Sequence, residues 1–229
     1  MSKRPAPREG HVAEELRAEL PGLGIVSLEL PAPSVRRSPK GVREQLDLLS
    51  VRFRGADALA LRQRPVPHAY RVCFRHVGLD PDLTRTPVEA AAIDRLVHGG
   101  YVSQGPLDDA LTIALVETGV PLWALDAQTV HGALWLRLAR DGERLGGEPD
   151  ALPLPEGQIV VADSHAPLAP LFGVPAAPHL PGRRTTRLLL FALRVDGVPA
   201  LHVEEALWRC AETLAAGEAA ASAVRCPGP

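Results

Sequence analysis

The sequence has few of the residues that define several large classes of protein. Phe, Trp and Tyr together make up 4% of the 229 residues, so the chain lacks the aromatic platforms on which many RNA-binding domains stack bases. The three cysteines, Cys73, Cys210 and Cys226, are odd in number and widely spaced, which fits neither a disulfide framework nor a paired CxxC site. A reducing cytoplasm is therefore the expected compartment.

Long apolar runs and a strong charge of one sign are also missing. No run reaches the roughly 18 residues of a membrane span, and the polar N-terminal residues do not resemble a signal peptide. The formal net charge is −2, which excludes a strongly basic protein that holds nucleic acid by phosphate neutralisation alone. We expect no membrane partner, and we expect any contact with nucleic acid to be local.

The apolar residues that are present, 46% of the chain, suffice for one buried core. Apolar periodicity and turn residues predict helices at 67–77, from Pro87 to the glycines at 99–100, at 107–118 and at 203–215. They predict strands at 23–30, 133–138, 159–161 and 188–195. The strongest signal is at Pro87, because Thr86 and Glu89 form a capping box.

These elements predict an α+β fold, a mixed single domain of layered β-sheets with packed helices. The domain is expected over 21–216, after a polar lead-in at 1–20 that is disordered or helical. Residues 217–229 are of low complexity and are expected to form a disordered tail.

Motifs that define the common enzyme classes are absent, among them GxGxxG, GxxxxGK[ST], HExxH and GxSxG. No two of the eight histidines have the i, i+4 spacing of a helical metal site, and we expect no metal and no cofactor. Asp163, Ser164 and His165 are residue types of a catalytic triad. Sequence neighbours do not in general point at one another in triad geometry, so we interpret them as a polar strand end with a turn.

Arginine is concentrated at two places in the chain. The segment 34–66 is Arg-rich, and Arg183, Arg184 and Arg187 form a compact cluster beside two threonines. Each of these clusters could contact phosphate, although an ordinary solvated face is the commoner role of such a cluster.

Six short segments between residues 67 and 195 form an ordered series of motifs. They are YR with HVGLDP (70–81), RTPVEA (85–90), LDDALT (107–112), GVPLWALD (119–126), LRLARDGE (136–143) and TTRLLL (185–190). In this order they resemble the B3/B4 domain of the phenylalanyl-tRNA synthetase beta subunit, and more closely the free-standing relatives of that domain.

The resemblance implies an activity as well as a fold. Inside the synthetase this domain hydrolyses a wrongly attached amino acid, mainly tyrosine, from tRNA. The implied function is trans-acting hydrolysis of mischarged aminoacyl-tRNA, with tRNA or aminoacyl-tRNA as the partner. The alternative is a module without catalysis that binds tRNA or an amino-acid-like small molecule.

The resemblance also implies which residues form the site. Asp109 matches an aspartate of the family and is either catalytic or a helix cap, and Thr112 stands at an asparagine position. Trp123 replaces a histidine, and Phe191 replaces the glutamate that looks like the reader of tyrosine's hydroxyl. The expected catalytic residues are Thr112 and Asp109, the substrate-binding residues are Trp123, Phe191, Leu111 and Thr186, and the RNA-binding residues are Arg183, Arg184 and Arg187.

Overall fold

The computed structural model describes residues 5–52, 60–151 and 153–225. It contains helices and two four-stranded sheets, which confirms the predicted α+β class. The chain divides into two compact units, each made of two chain segments. The first unit comprises Met1–Ala32 and Trp123–Val203, and the second comprises Pro33–Leu122 and Glu204–Pro229. Among the described residues, none of the helices combines the length and apolarity needed to cross a membrane.

The first unit holds the strands. They are β1 (Arg8–Glu9), β2 (His11–Val12), β3 (Gly24–Pro31), β4 (Leu122–Asp126), β5 (Trp135–Leu138), β6 (Ile159–Ala162), β7 (Pro167–Pro170) and β8 (Arg187–Arg194), and a short helix, α1 (Glu14–Glu19), follows β2. The strand order is β1-β3-β8-β4 in one sheet and β2-β5-β6-β7 in the other. The antiparallel pair β3–β8 forms the longest ladder, with Gly24 opposite Arg194 and Leu28 opposite Leu190. The strands β3 and β8, which are far apart in the sequence, are therefore neighbours in this unit.

Gly10 links the two sheets at their edges. Its N–H donates to the Ile25 carbonyl oxygen at 2.8 Å, and the next N–H, that of His11, donates to the Leu134 carbonyl oxygen at 2.8 Å. A Cβ atom at Gly10 would lie 2.5 Å from that Leu134 oxygen, so only glycine fits here without a shift. One residue thus joins β1 of one sheet to β2 of the other.

The second unit is helical. Its helices are α2 (Lys40–Arg52), α3 (Pro65–His76), α4 (Pro87–His98), α5 (Pro106–Thr118) and the part of α6 (Ala200–Arg225) from residue 204 onward. One cluster of its core packs α2 against α4 and α5, through Val42, Leu46, Leu49, Val88, Ala92, Ile113 and Val116. The capping box of α4 is present as predicted, and Gly99 ends that helix in the left-handed region.

Several elements differ from the sequence predictions. The helix α6 runs from residue 200 to 225 rather than over 203–215, and its alanine-rich end has high helix propensity. Residues 226–229, the end of the predicted tail, lie outside the described residues. The short strands β1 and β2 lie in the lead-in that we expected to be disordered or helical, because two-residue edge strands carry no alternating pattern. The domain limits at 20 and 216 stay a prediction.

Candidate functional site

Two aromatic rings stack in the first unit at positions singled out by the sequence. The ring centroids of Trp123 and Phe191 are 5.4 Å apart with 15° between the planes. Phe191, on β8, is 1% exposed, whereas Trp123, on β4, is only half-buried. Trp123 thus offers an apolar surface backed by a buried ring.

Phe172 adds a third ring to this pair. Its centroid lies 6.5 Å from that of Trp123, with a tilt of 46°. Among the described residues it is the only residue other than glycine with a positive φ, 59°. That conformation costs a side chain roughly 1–2 kcal/mol, so the surrounding structure must hold Phe172 beside Trp123.

A hydrogen-bonded network fixes the loop that leads into β8. The Thr185 hydroxyl donates to Asp126 Oδ2 at 2.6 Å and accepts from the Gly182 N–H at 2.9 Å. Asp126 Oδ1 accepts from the Gln128 N–H at 3.0 Å, so Asp126 caps the turn after β4. The network anchors the segment that carries Arg183, Arg184 and Thr186.

His179 extends the same network through its Nδ1 atom, and its other ring nitrogen, Nε2, is buried. The Thr129 hydroxyl donates to the Asp126 carbonyl oxygen at 2.9 Å, so its oxygen accepts from His179 Nδ1 at 3.0 Å. This fixes the proton of the neutral ring on Nδ1. His179 Nε2 is buried and has no hydrogen-bond partner among the described residues. Sequence reasoning missed His179, because its partner Thr129 is 50 residues away.

The predicted RNA-binding arginines differ in their surroundings. Arg187 pairs with Glu29 across the β3–β8 ladder at 2.8 Å, and both side chains are partly exposed. Arg183 and Arg184 are exposed, and neither forms an ion pair within the part of the chain that the structure describes. Thr186 is exposed, and a hydrogen bond holds its backbone in place, because its carbonyl oxygen accepts from the Ala32 N–H at 2.9 Å. Two uncompensated cations therefore stand on an anchored loop.

Asp109 lies in the second unit, and its carboxylate is engaged by the preceding loop. Its Oδ1 accepts from the Gln104 N–H at 2.8 Å and its Oδ2 accepts from the Ser103 hydroxyl at 2.5 Å. The residue is 2% exposed. Burial raises the pKa of the neighbouring Asp108, and the charge of Asp109 raises it further. These contacts are those of a residue that anchors the loop before α5.

Thr112 and Leu111 follow on the same helix and are half-buried. Thr112 is three residues after Asp109, so both lie on one face of α5. The Thr112 hydroxyl has no protein hydrogen-bond partner among residues 5–52, 60–151 and 153–225, which leaves it available to water or a ligand. Of the predicted site residues, Asp109, Leu111 and Thr112 thus belong to the second unit, and the remainder belong to the first.

A cluster of His131, Asp163 and His165 is a further feature of the first unit. One potential ligand atom from each lies within 4.8 Å of the others. Asp163 is buried, whereas both histidines are exposed, and their ring centroids are 4.2 Å apart. Asp163 and His165 are near neighbours in the sequence, whereas nothing in the sequence indicates His131, which is 32 residues from Asp163.

A cavity of about 320 Å³ opens beside the edge of the β1-β3-β8-β4 sheet. Its lining includes the polar residues Arg8, Glu9, Ser27 and Glu29 and the apolar residues Leu134 and Leu189. Its volume is within the range of small-molecule sites. The sequence did not predict it, because the cavity joins residues of four separate segments.

Comparison with curated proteins identifies one group of relatives, although no protein-family model matches the chain. The chain is 32% identical to the phenylalanine–tRNA ligase beta subunit of Methylococcus capsulatus over 148 residues, which are 58% of this chain and 18% of that subunit. It is 32% identical to the same subunit of Xanthomonas campestris pv. campestris over 113 residues, 48% of this chain and 14% of that subunit. For Xanthomonas axonopodis pv. citri the identity is 37% over 78 residues, 34% of this chain and 10% of that subunit.

The matches cover less than a fifth of each relative's length but about half of this chain in the longer alignments. They confirm the resemblance predicted from the ordered motifs. The chain therefore resembles a segment of the phenylalanine–tRNA ligase beta subunit.

Proposed function

We propose that this chain hydrolyses mischarged aminoacyl-tRNA in trans and that it prefers an amino acid with an apolar side chain. The resemblance to phenylalanine–tRNA ligase beta subunits supports a role connected with aminoacylated tRNA. The observation that carries the proposal is the stacked pair of Trp123 and Phe191, at positions where the family has polar residues. Such an activity belongs in the cytoplasm, and the buried thiols of Cys73 and Cys210 are compatible with that compartment.

The aromatic pair accounts for the proposed specificity. A buried carboxylate that accepts a hydroxyl proton discriminates strongly for tyrosine, because an analogue without the hydroxyl leaves it unpaired. The Phe191 side chain has no atom that can accept a hydrogen bond, and its ring is stacked against that of Trp123. The exposed part of Trp123 can instead cover an apolar side chain by burial of surface.

Hydrolysis needs few catalytic groups, because an aminoacyl ester is already activated. The site must hold a water molecule and donate hydrogen bonds to the developing oxyanion, and backbone N–H groups and the ribose hydroxyl of the tRNA can contribute these bonds. The Thr112 hydroxyl, which belongs to the second unit, is proposed from the resemblance alone as the group that holds the water. Arg183 and Arg184, exposed on the loop before β8, are proposed to contact phosphates of the RNA.

The test measures release of labelled amino acid from a panel of aminoacyl-tRNAs charged with apolar, aromatic and polar residues. We expect turnover above buffer hydrolysis for apolar species. Thr112→Ala should lower the rate by about 10²-fold, the scale of a misplaced reacting group, because the water loses its holding group, whereas Thr112→Ser should retain most of the rate. Trp123→Ala should weaken discrimination between apolar and polar amino acids, and Trp135→Ala, the control at another partly exposed Trp of the same unit, should not.

Phe191→Glu is a poor test even though it restores the residue of the family. Phe191 is 1% exposed, so the substitution would bury a carboxylate and destabilise the fold. If folded wild type shows no turnover across the panel, the hydrolysis proposal fails. Measurement of equilibrium binding to uncharged tRNA and to free amino acids then tests the alternative, a module without catalysis, for which the engaged carboxylate of Asp109 is the favouring observation.

A further inference from the structure

Three side chains meet where the loop after β4 approaches the turn between β6 and β7. His131 Nδ1 lies 3.5 Å from Asp163 Oδ2. At metal–ligand bonds of 2.0–2.2 Å, adjacent ligands of a tetrahedral zinc ion are separated by about 3.3–3.5 Å. The spacing of these two atoms is therefore that of two ligands on one ion, and the exposed His165 ring lies against the His131 ring.

The turn holds Asp163 in a fixed orientation. Its Oδ1 accepts from the N–H groups of His165 at 2.7 Å and Ala166 at 2.9 Å, and its Oδ2 accepts from the His131 N–H at 2.7 Å. Oδ1 thus has two donors, whereas Oδ2 has one and keeps a lone pair. Oδ2 is also the oxygen that lies 3.5 Å from His131 Nδ1.

Ser164 determines which nitrogen of His165 is available. The Ser164 hydroxyl donates its single hydrogen to the His131 carbonyl oxygen at 2.8 Å. Its oxygen must therefore accept from His165 Nδ1, 2.9 Å away. In the neutral ring the proton is then on Nδ1, and Nε2 carries the lone pair. A hydrogen bond of this kind from the non-ligating nitrogen is typical of histidines that bind metals.

From this geometry we infer that His131, Asp163 and His165 form a binding site for a divalent transition-metal ion, with Zn²⁺ the favoured occupant. Two imidazole nitrogens and one carboxylate oxygen are a typical ligand set for zinc. They favour zinc over calcium and magnesium, because those two ions bind mainly oxygen ligands. The protein supplies three ligands, and the exposure of both histidines leaves the fourth position open to solvent or to a ligand. The site does not depend on the proposed hydrolysis.

The test uses untagged full-length protein and zinc alone. Wild type is incubated with Zn²⁺, passed through gel filtration in zinc-free buffer and analysed for metal, and its affinity is measured by titration calorimetry. We expect one zinc ion per chain. His131→Ala and His165→Ala should each lower the affinity at least tenfold, and Ser164→Ala should lower it by about 10–100-fold through loss of the tautomer-fixing hydrogen bond.

Two controls separate this site from other zinc binding. His68→Ala removes an exposed histidine of the second unit and should leave affinity and stoichiometry unchanged. Zinc should raise the melting temperature of wild type and of His68→Ala but not that of the double variant His131→Ala/His165→Ala. The inference is overturned if wild type retains no more zinc than the double variant, or if the single variants at 131 and 165 bind as wild type does.

Discussion

Arg71 illustrates how much one residue can determine locally. Its guanidinium lies 2.6 Å from Glu89 and 2.7 Å from Asp82, and the side chains of Arg71 and Glu89 are 7% and 5% exposed. Glu89 also closes the capping box with Thr86 and has a second, more distant partner in Arg62 at 3.2 Å. The first turn of α4 and the middle of α3 therefore depend on the same buried charge pair.

Arg71→Ala is expected to destabilise the protein by about 3 kcal/mol, because it leaves the Glu89 carboxylate buried without its main partner. The matched control is Arg75→Ala on the same helix. Arg75 is 53% exposed and lies 3.9 Å from Asp82, and its loss should cost under about 1 kcal/mol. Urea denaturation of both variants measures the difference, and equal losses would show that burial of the Arg71–Glu89 pair does not matter.

The sequence predicted such local relations better than distant ones. The capping box of Thr86 and Glu89 could be predicted because its residues are three apart. Within the LRLARDGE segment, Arg137 and Glu143 form two hydrogen bonds of 2.7 and 2.6 Å across a turn, and the Arg137 guanidinium holds the pKa of Glu143 below its usual range. The contact of Asp163 with His131 could not be predicted, since the two residues are 32 apart in the sequence.

The ends of α3, α4 and α5 are the limits that the sequence predicted best, because a glycine follows each of these helices. Gly78 follows α3 and Gly119 ends α5, both with φ of +77°, in the left-handed region that glycine adopts without steric cost. They differ in their neighbours. A Cβ atom at Gly119 would lie 3.2 Å from Pro67 Cδ and 3.3 Å from Val66 Cγ1, whereas a Cβ atom at Gly78 meets nothing within 4 Å.

Gly119→Ala should therefore destabilise the protein more than Gly78→Ala. Both substitutions incur the cost of a left-handed alanine, about 1–2 kcal/mol. Gly119→Ala adds steric crowding against Pro67 and Val66, which we expect to cost about 1 kcal/mol more. The comparison is made by equilibrium unfolding of the two variants. Identical losses would mean that the start of α3 gives way without cost.

Strands were less predictable than helix ends. The runs predicted as strands at 23–30, 133–138, 159–161 and 188–195 correspond to β3, β5, β6 and β8, because each run carries a clear pattern. The strand β7 (PLAP) was missed, since its two prolines argue against a strand. The Arg-rich segment 34–66 gives no clear prediction of secondary structure, although Val42, Leu46 and Leu49 of α2 recur at helical spacing.

At the scale of the molecule, the N-terminal residues contribute to both sheets. β1 pairs with β3 and β2 pairs with β5, within the first unit. The Ala13 N–H adds a hydrogen bond to the Leu136 carbonyl oxygen at 2.9 Å. Segments far apart in the sequence thus form each sheet edge, which periodicity in a local window cannot indicate.

Deletion of residues 1–12 is expected to lower the free energy of unfolding by about 2 kcal/mol or more, from lost main-chain hydrogen bonds at about 1 kcal/mol each. Deletion of residues 1–7 leaves β1 and β2 in place and should lower the free energy of unfolding by less. The two deletion variants are compared by the urea concentration at the midpoint of unfolding. A midpoint that is equally unchanged in both would show that the edge strands do not stabilise the sheets.

The β3–β8 ladder can form only after a delay during synthesis, because its two strands lie far apart in the sequence. Ile25 of β3 faces Leu193 of β8, so 168 residues separate the two partners. At roughly 5–20 residues per second, a ribosome needs on the order of 10–30 s to make the second strand after the first. During that interval the apolar β3 has only the two-residue β1 as a ladder partner, and the helices between residues 40 and 118 are completed before β8 is made. The nascent chain therefore exposes the first half of its longest sheet pair, and a chaperone that binds extended apolar segments would find it there.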